Sequence, residues 1–310
     1  MNKKTYLIEK AEKGLTIQQY LKQIAGFSNA QIRSMKFTEN GICLGGQRAR
    51  VTTRLSEGDV LEVLLETKNS SSAHLLSFEQ MPDILYEDAD VIAMNKPAGM
   101  AVHPSHGHYQ DTLANQLAYY FRKNTQQVEI HSIGRLDLET SGIVLFAKHR
   151  AAAARLSRQR EDGRLQKTYL AICSGIFAEK NGTLNGAIAP LPGSLMKMCV
   201  SKDGKPAVTH YQVQKQYMEA ALVRLTLETG RTHQIRVHMA DAGHPLIGDR
   251  LYFADTDQKA DVDAENCFTG IKRAALHASR ICFYQPFEGK RITVEAPFPE
   301  DMKKCLFRDE

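Results

Sequence analysis

Four short stretches of this chain hold residue types that do chemistry. The first is Gly134-Arg135-Leu136-Asp137-Leu138-Glu139-Thr140-Ser141-Gly142, which runs into the apolar, β-prone segment Ile143-Val144-Leu145-Phe146-Ala147. Its aspartate lies on a loop feeding a strand, and loops on rigid scaffolds are where reactive groups are presented. An arginine beside a carboxylate lowers its pKa and keeps it ionised. An ionised, positioned carboxylate can act as a nucleophile. Read alone, the same pair also suits an ordinary structural contact.

The second stretch is Glu228-Thr229-Gly230-Arg231-Thr232-His233-Gln234-Ile235-Arg236-Val237-His238, followed by Gly243-His244-Pro245-Leu246-Ile247-Gly248-Asp249. A helix over 232–242 is expected, with Thr232 as its cap and Gly243 as its stop. The free N–H groups of such a helix start suit an anion such as an RNA phosphate, and Arg231 and Arg236 add fixed positive charge. A surface helix with basic ends accounts equally well for the local pattern. The third stretch is Lys167-Thr168-Tyr169-Leu170-Ala171. Tyr169 is a packing residue on local grounds, and functionally a face on which a base stacks. The fourth, Lys96-Pro97-Ala98-Gly99-Met100-Ala101-Val102-His103-Pro104, reads as a rigid turn after a strand, without chemistry of its own.

These stretches need elements to hold them. Short strands are expected at 84–87 and 91–95, around an acidic turn, then at 143–147, 169–173, 208–214, 221–229, 281–284 and 292–295. Helices are expected at 112–121 and 151–160. Strands in runs with interspersed helices give an α+β class, with a mixed, largely antiparallel central sheet flanked by helices. Residues 1–67 form a separate small unit. Ile17, Tyr20, Leu21 and Ile24 share one helix face, Gly26 ends that helix, and Ser28 caps a second over 29–36 with Ile32 and Met35 inward. Strand, turn and strand follow, to 60–65. Residues 68–80, with Asn69-Ser70-Ser71-Ser72, form the linker, and 81–310 the larger domain.

The order of the motifs carries more than any one of them. Lys-Pro-Ala-Gly-Met…His-Pro, Arg-Leu-Asp-x-x-Thr-Ser-Gly, Lys-x-Tyr-Leu-Ala, Gly-Lys-Pro-Ala (Gly204 to Ala207), Gly-Arg-Thr-His-Gln-Ile-Arg-Val-His and Gly-His-Pro-Leu-Ile-Gly-Asp occur in succession. This succession resembles the RluA-type pseudouridine synthase family over roughly residues 82 to 298. The small N-terminal unit, with Arg33, Lys36, Arg48, Arg50 and Arg54, resembles the S-four-type (alpha-L) RNA-binding module. The family resemblance implies an RNA isomerase that converts chosen uridines to pseudouridine without a cofactor. It implies that Asp137 is catalytic, that Tyr169 lines the site against the base, and that Arg236 pairs with Asp137. It implies that Ile235 is the apolar neighbour of that arginine and that Arg135 displaces the target nucleotide. Arg231, His233 and Thr140 complete the expected RNA-contacting set. One position departs from the family's pattern: the residue before Arg-Leu-Asp is usually histidine and here is Gly134, as in a sister group that also modifies ribosomal RNA. Structured RNA is the implied partner, ribosomal RNA first and transfer RNA second, and a monomer suffices.

Composition fits this reading without demanding it. The chain has 310 residues, 43% hydrophobic and 24% charged, with a formal net charge of +5, which permits a polyanionic partner. No window approaches the roughly 18 apolar residues of a membrane span, and no apolar signal core follows the basic start, so a cytoplasmic protein is expected. Cys43, Cys173, Cys199, Cys267, Cys282 and Cys305 form no C-x-x-C pair and read as reduced thiols. Two rival readings exist. His103, His106 and His108, with Asp111 nearby, make a H-x-x-H-x-H cluster that could hold zinc in a metallohydrolase, although histidines in such a loop are usually solvated and no metal is expected. A non-catalytic RNA-binding protein would use the N-terminal unit alone.

Overall fold

The structure is a computed structural model, and it describes residues 3–65, 75–105, 107–126, 128–253 and 271–306. The N-terminal unit opens with strand β1 (Lys3–Leu7) and a 3-10 turn at Lys10–Glu12, then helices α1 (Ile17–Gln23) and α2 (Asn29–Phe37). Both helices start with a reciprocal cap. The Thr16 hydroxyl accepts from the Gln19 N–H and Ser28 from the Gln31 N–H, while each glutamine side chain reaches back. Such boxes satisfy two backbone donors that a helix start leaves orphaned. Strands β2 (Ile42–Leu44), β3 (Gln47–Arg48) and β4 (Val60–Leu64) complete a sheet in the order β1-β4-β2-β3. Its core gathers Ile17, Tyr20, Leu21, Ile32, Met35, Leu61 and Val63. Ile24 departs from the expected helix face and is 55% exposed. It occupies the C-cap of α1, and the chain then turns at Gly26 with φ +70°.

This unit rests on the larger one. Ala151 and Phe287 join its core. The Arg155 guanidinium lies 5.1 Å from the Phe27 ring and 4.1 Å from the Phe287 ring, and it donates to the Pro286 carbonyl at 2.7 Å. Beneath it Asp90, 1% exposed, accepts from His149 Nε2 at 2.9 Å and from the Gln285 amide, with Lys4 at 3.9 Å. Burial opposes the charge on Asp90, but the hydrogen bonds from His149 and Gln285 hold its carboxyl below the usual range.

The larger unit is built on a sheet of ten strands among the described residues, in the order β10-β13-β14-β9-β15-β8-β6-β5, with β16 on β15 and β7 on β8. The strands are β5 (Ile84–Glu87), β6 (Val91–Lys96), β7 (His131–Ser132), β8 (Ser141–Ala147), β9 (Gln166–Ser174), β10 (Asn181–Asn185), β13 (Val208–Gln216), β14 (Ala220–Leu227), β15 (Leu276–Tyr284) and β16 (Arg291–Glu295). A separate hairpin pairs β11 (Ile188–Pro190) with β12 (Met198–Val200). The mixed, largely antiparallel sheet is as expected. Every residue of β8 is buried, as its unbroken apolar run requires of a strand covered on both faces. Helices α3 (Leu113–Lys123) and α4 (Arg150–Glu161) stand within a residue or two of their expected bounds. Helices α5 (Gln234–Asp241) and α6 (Glu300–Leu306) follow. None of the described helices is long and apolar enough to cross a membrane. The segment 69–72 and Cys267 lie outside the described residues; Cys43, Cys173, Cys199 and Cys282 are free thiols.

One pairing in the sheet is parallel: β15 runs alongside β8, His277 opposite Ser141 and Ala278 opposite Gly142. A Cβ on Gly142 would lie 2.3 Å from the Ala278 carbonyl oxygen, and its φ is +105°. Only glycine lets the two backbones approach this closely.

Candidate active site

The loop carrying Asp137 enters β8 at this junction, and it is fastened from three sides. Lys96, at the end of β6, is fully buried, and its ammonium donates to the carbonyls of Pro97 (3.0 Å), Met100 (2.7 Å) and Leu138 (3.1 Å). The turn at 96–100 is thereby bound to the residue after Asp137. Burial pushes the Lys96 pKa down to about 7, with Asp137 opposing and Arg273 assisting. Arg273, held by Asp301 at 2.7 Å, also donates to the Glu139 carbonyl at 3.4 Å, and the Ala274 N–H donates to the Glu139 carboxylate at 3.1 Å. Inside the loop the Thr140 N–H donates to the Asp137 carbonyl at 3.2 Å. Thr140 itself is 2% exposed, so it closes the loop and does not offer a surface to RNA.

Gly134 has φ +82°, in the left-handed region that β-carbon-bearing residues avoid. Glycine is therefore the residue this backbone favours, and a histidine there would be strained.

The motifs meet around the half-buried Asp137. Leu136, Tyr169 and Ile235 belong to one core cluster. Tyr169 lies on β9 opposite Leu225 and Ala278, 8% exposed. Burial, with Asp137 adding to it, raises the pKa of its phenol. The Asp137 charge also acts on Lys96, His233, Arg236 and Tyr252. Arg135 and Arg231 are exposed, and Arg231 is steadied by the Pro206 carbonyl at 3.0 Å.

Two expectations are corrected here. Thr232 does not cap α5. The residue before the helix is His233, in the left-handed conformation (φ 55°, ψ 21°) with no side-chain cap. Instead Gln234 turns its amide oxygen to the Arg231 N–H at 3.0 Å and to the Thr229 hydroxyl at 2.9 Å, which ties the start of α5 back to the segment before it. Nor is Asp137 the direct partner of Arg236. That guanidinium, 5% exposed, makes a forked pair with Asp249: Nε to Oδ2 at 2.6 Å and Nη2 to Oδ1 at 2.7 Å, with Glu139 farther at 3.8 Å. Burial opposes the charge on Arg236, and Asp249, then Asp137 and Glu139, more than offset it, so its pKa is raised. Two parallel N–H···O bonds fix the guanidinium plane as a single contact cannot.

Sequence reasoning passed over four residues of this region. Lys96 and Asp249 lie within the quoted motifs but received no role, whereas Tyr252 and Arg273 lie in none. The histidine cluster disperses. His103 Nε2 bonds the Ser132 hydroxyl and His108 Nδ1 bonds Asp111 at 2.7 Å, while His106 lies outside the described residues. Among the described residues no group of three or more metal-ligating side chains stands together.

A largely antiparallel sheet carries a carboxylate loop at its one parallel junction, with a tyrosine, a lysine and a clamped arginine within reach of its charge, and the solved structures that share this fold are pseudouridylate synthases. The sequence pattern described as RNA pseudouridylate synthase matches residues 90–241. An RNA pseudouridine synthase of Bacillus subtilis (strain 168), YhcT, itself described as uncharacterized, is 39% identical over 251 residues, covering 80% of this chain and 78% of its own. Ribosomal large subunit pseudouridine synthase D of Neisseria meningitidis serogroup A is 38% identical over 267 residues, covering 85% and 67%. Among solved structures, human RNA pseudouridylate synthase domain containing 1 superposes with a TM-score of 0.57 at 27% identity, over 72% of this chain and 87% of its own. The chain belongs to the RNA pseudouridine synthase family, in its RluA-type branch, and is an isomerase acting on RNA.

Proposed function

We propose that this enzyme isomerises uridines of ribosomal RNA, with Asp137 as its catalytic carboxylate. The reaction breaks the bond between uracil N1 and ribose C1′ and forms one between C5 and C1′. N1 takes up a proton and C5 releases one, so atoms balance within the nucleotide. The observation that carries the reading is the convergence on Asp137: one half-buried carboxylate, on a loop clamped at Leu138 and Glu139, whose charge acts on Tyr169, His233, Arg236 and Lys96.

A base inside a duplex is out of reach of such a loop, so the target uridine is extruded, at a cost of a few kcal/mol. Tyr169 stacks on the extruded ring, a contact worth about 1–3 kcal/mol. The exposed Arg135 fills the vacated space, and the Asp249-clamped Arg236 keeps positive charge near the reacting carboxylate. Ile235 packs beside it, and Arg231 and His233 face the RNA from the start of α5. The exposed Arg33, Lys36, Arg48, Arg50 and Arg54 of the N-terminal unit supply a second, sequence-independent hold on phosphates. Ribosomal RNA is favoured by the relatives that carry that substrate in their names.

Release of tritium from RNA labelled at uridine C5 tests this reading. Wild-type protein releases it from ribosomal RNA. Asp137→Asn binds the same RNA and releases none, and measurable turnover by that variant rejects the assignment. Release from transfer RNA alone would move the substrate and leave the chemistry in place.

A further inference from the structure

We propose that Tyr252 is a positioning residue whose hydroxyl ties the β11–β12 hairpin to His233 and fixes that histidine as the neutral tautomer protonated on Nε2. That this imidazole serves the reaction rests on the assignment of Asp137 above; the tautomer itself does not.

The hydrogen-bond accounting is short. Tyr252 is 5% exposed. The Met198 N–H donates to its hydroxyl oxygen at 2.9 Å, and His233 Nδ1 lies 2.9 Å from the same oxygen. A phenol owns one proton and can also accept. Its oxygen already accepts from Met198, and among the described residues His233 Nδ1 is the one acceptor recorded for its proton. Nδ1 therefore accepts, and the proton of the neutral ring sits on Nε2. In neutral imidazole one nitrogen donates and the other accepts, so the bond at one sets the other.

The phenol is itself held in place. Asp249 Oδ1 accepts from the N–H groups of Leu251 (3.0 Å) and Tyr252 (3.3 Å) while it also clamps Arg236. The Tyr252 ring lies 5.2 Å from that guanidinium and meets the His233 ring edge-on, 5.7 Å apart at 82°. His233 keeps a left-handed backbone despite its β-carbon, and such strain persists where the surroundings over-determine it. Burial is the largest influence on His233 and pushes its pKa down. Arg236 and Arg135 act in the same direction, and Asp137 and Asp249 oppose them.

The far end of this link faces outward. The hairpin turns through Leu195 and Met196, both strongly exposed, with the exposed Lys202 just past its second strand. Apolar side chains near an ammonium group suit an RNA, the former against bases and the latter on a phosphate. Met198, two residues past that tip, is where the hairpin meets Tyr252. RNA held at the tip thus steadies a donor on His233 that carries no net charge.

Nitrogen-15 correlation spectra of the protein labelled at histidine, assigned with His233→Gln, read the tautomer directly. The expected pattern is an unprotonated Nδ1 and a protonated Nε2. Tyr252→Phe keeps the ring over Arg236 and removes only the hydroxyl. In that variant the two tautomers should mix, and kcat for tritium release should fall about tenfold, the scale of one hydrogen bond, with KM little changed. The acid limb of the pH profile should move upward, because the lost O–H donor favoured the neutral ring. A wild-type His233 protonated on Nδ1, or a Tyr252→Phe enzyme with unaltered kcat and pH profile, overturns the proposal. A confirmed tautomer together with turnover by Asp137→Asn overturns the assignment of Asp137 and leaves the Tyr252 link standing.

Discussion

The ammonium of Lys96 lies 3.1 Å from the carbonyl oxygen of Leu138, the residue directly after Asp137. A buried lysine spends all three of its donors on backbone carbonyls, two in its own turn and one on the carboxylate loop. Lys96→Met keeps the volume and leaves three partly buried carbonyls short of a donor. An unmade buried hydrogen bond costs about 1–3 kcal/mol. We expect a loss of stability of about 2–4 kcal/mol in urea unfolding and a fall in tritium release larger than that of any exposed lysine variant.

The Arg236–Asp249 pair should behave as a unit. Asp249→Ala leaves a buried guanidinium whose remaining ion-pair partner among the described residues is Glu139, at 3.8 Å. Removing one partner of a buried ion pair costs about 3–5 kcal/mol, whereas replacing both by apolar residues is often close to neutral. Denaturant unfolding should therefore show Arg236→Met with Asp249→Leu to be more stable than either single variant. Turnover should be lost in all three if the charge of Arg236 serves Asp137 as proposed, since the two groups act on one another.

His277 predicts an acid weakness. It is 1% exposed and bonds the Ser141 hydroxyl through Nδ1 at 2.9 Å. Burial, aided by Arg273 and opposed by the Ala296 backbone and Asp301, lowers its pKa from 6.5 to about 4. Between these values the unfolded chain binds more protons than the folded one, so stability falls as pH falls. The contribution is complete above about 6.5 and is lost progressively toward about 4. At 1.36 kcal/mol per unit, it is on the order of 3 kcal/mol. Melting temperature measured from pH 7 to pH 4.5 should drop less in His277→Gln than in the wild type. Parallel curves would refute the attribution.

Local pattern carried the strands well because apolar runs such as Ile143-Val144-Leu145-Phe146-Ala147 have one stable home, a sheet covered on both sides. Other features were invisible for physical reasons. The role of Lys96 depends on a carbonyl 42 positions away, and nothing in a Lys-Pro-Ala-Gly turn announces it. Strand β1 begins with Lys3-Lys4-Thr5, a polar edge that β4 completes. Pro190 and Pro192 disguise the β11–β12 hairpin, since proline at an edge is compatible with a strand but argues against one in sequence. The expected cap at Thr232 failed because the residue before the helix is His233, in a left-handed conformation that leaves the helix start without a side-chain cap. The motifs singled out Asp137, Tyr169 and Arg236 together, yet not the forked partner of Arg236, because geometry alone decides which carboxylate a guanidinium reaches.

The junction of β8 with β15 joins Ser141 to His277, 136 positions later in the chain. Synthesis runs from the N-terminus, so the two halves of this seam are made far apart in time. Until β15 has emerged, the loop holding Asp137 lacks its floor at Ala278 and its fastening at Ala274. A growing chain therefore displays the exposed arginines of its N-terminal segment well before the carboxylate loop is assembled.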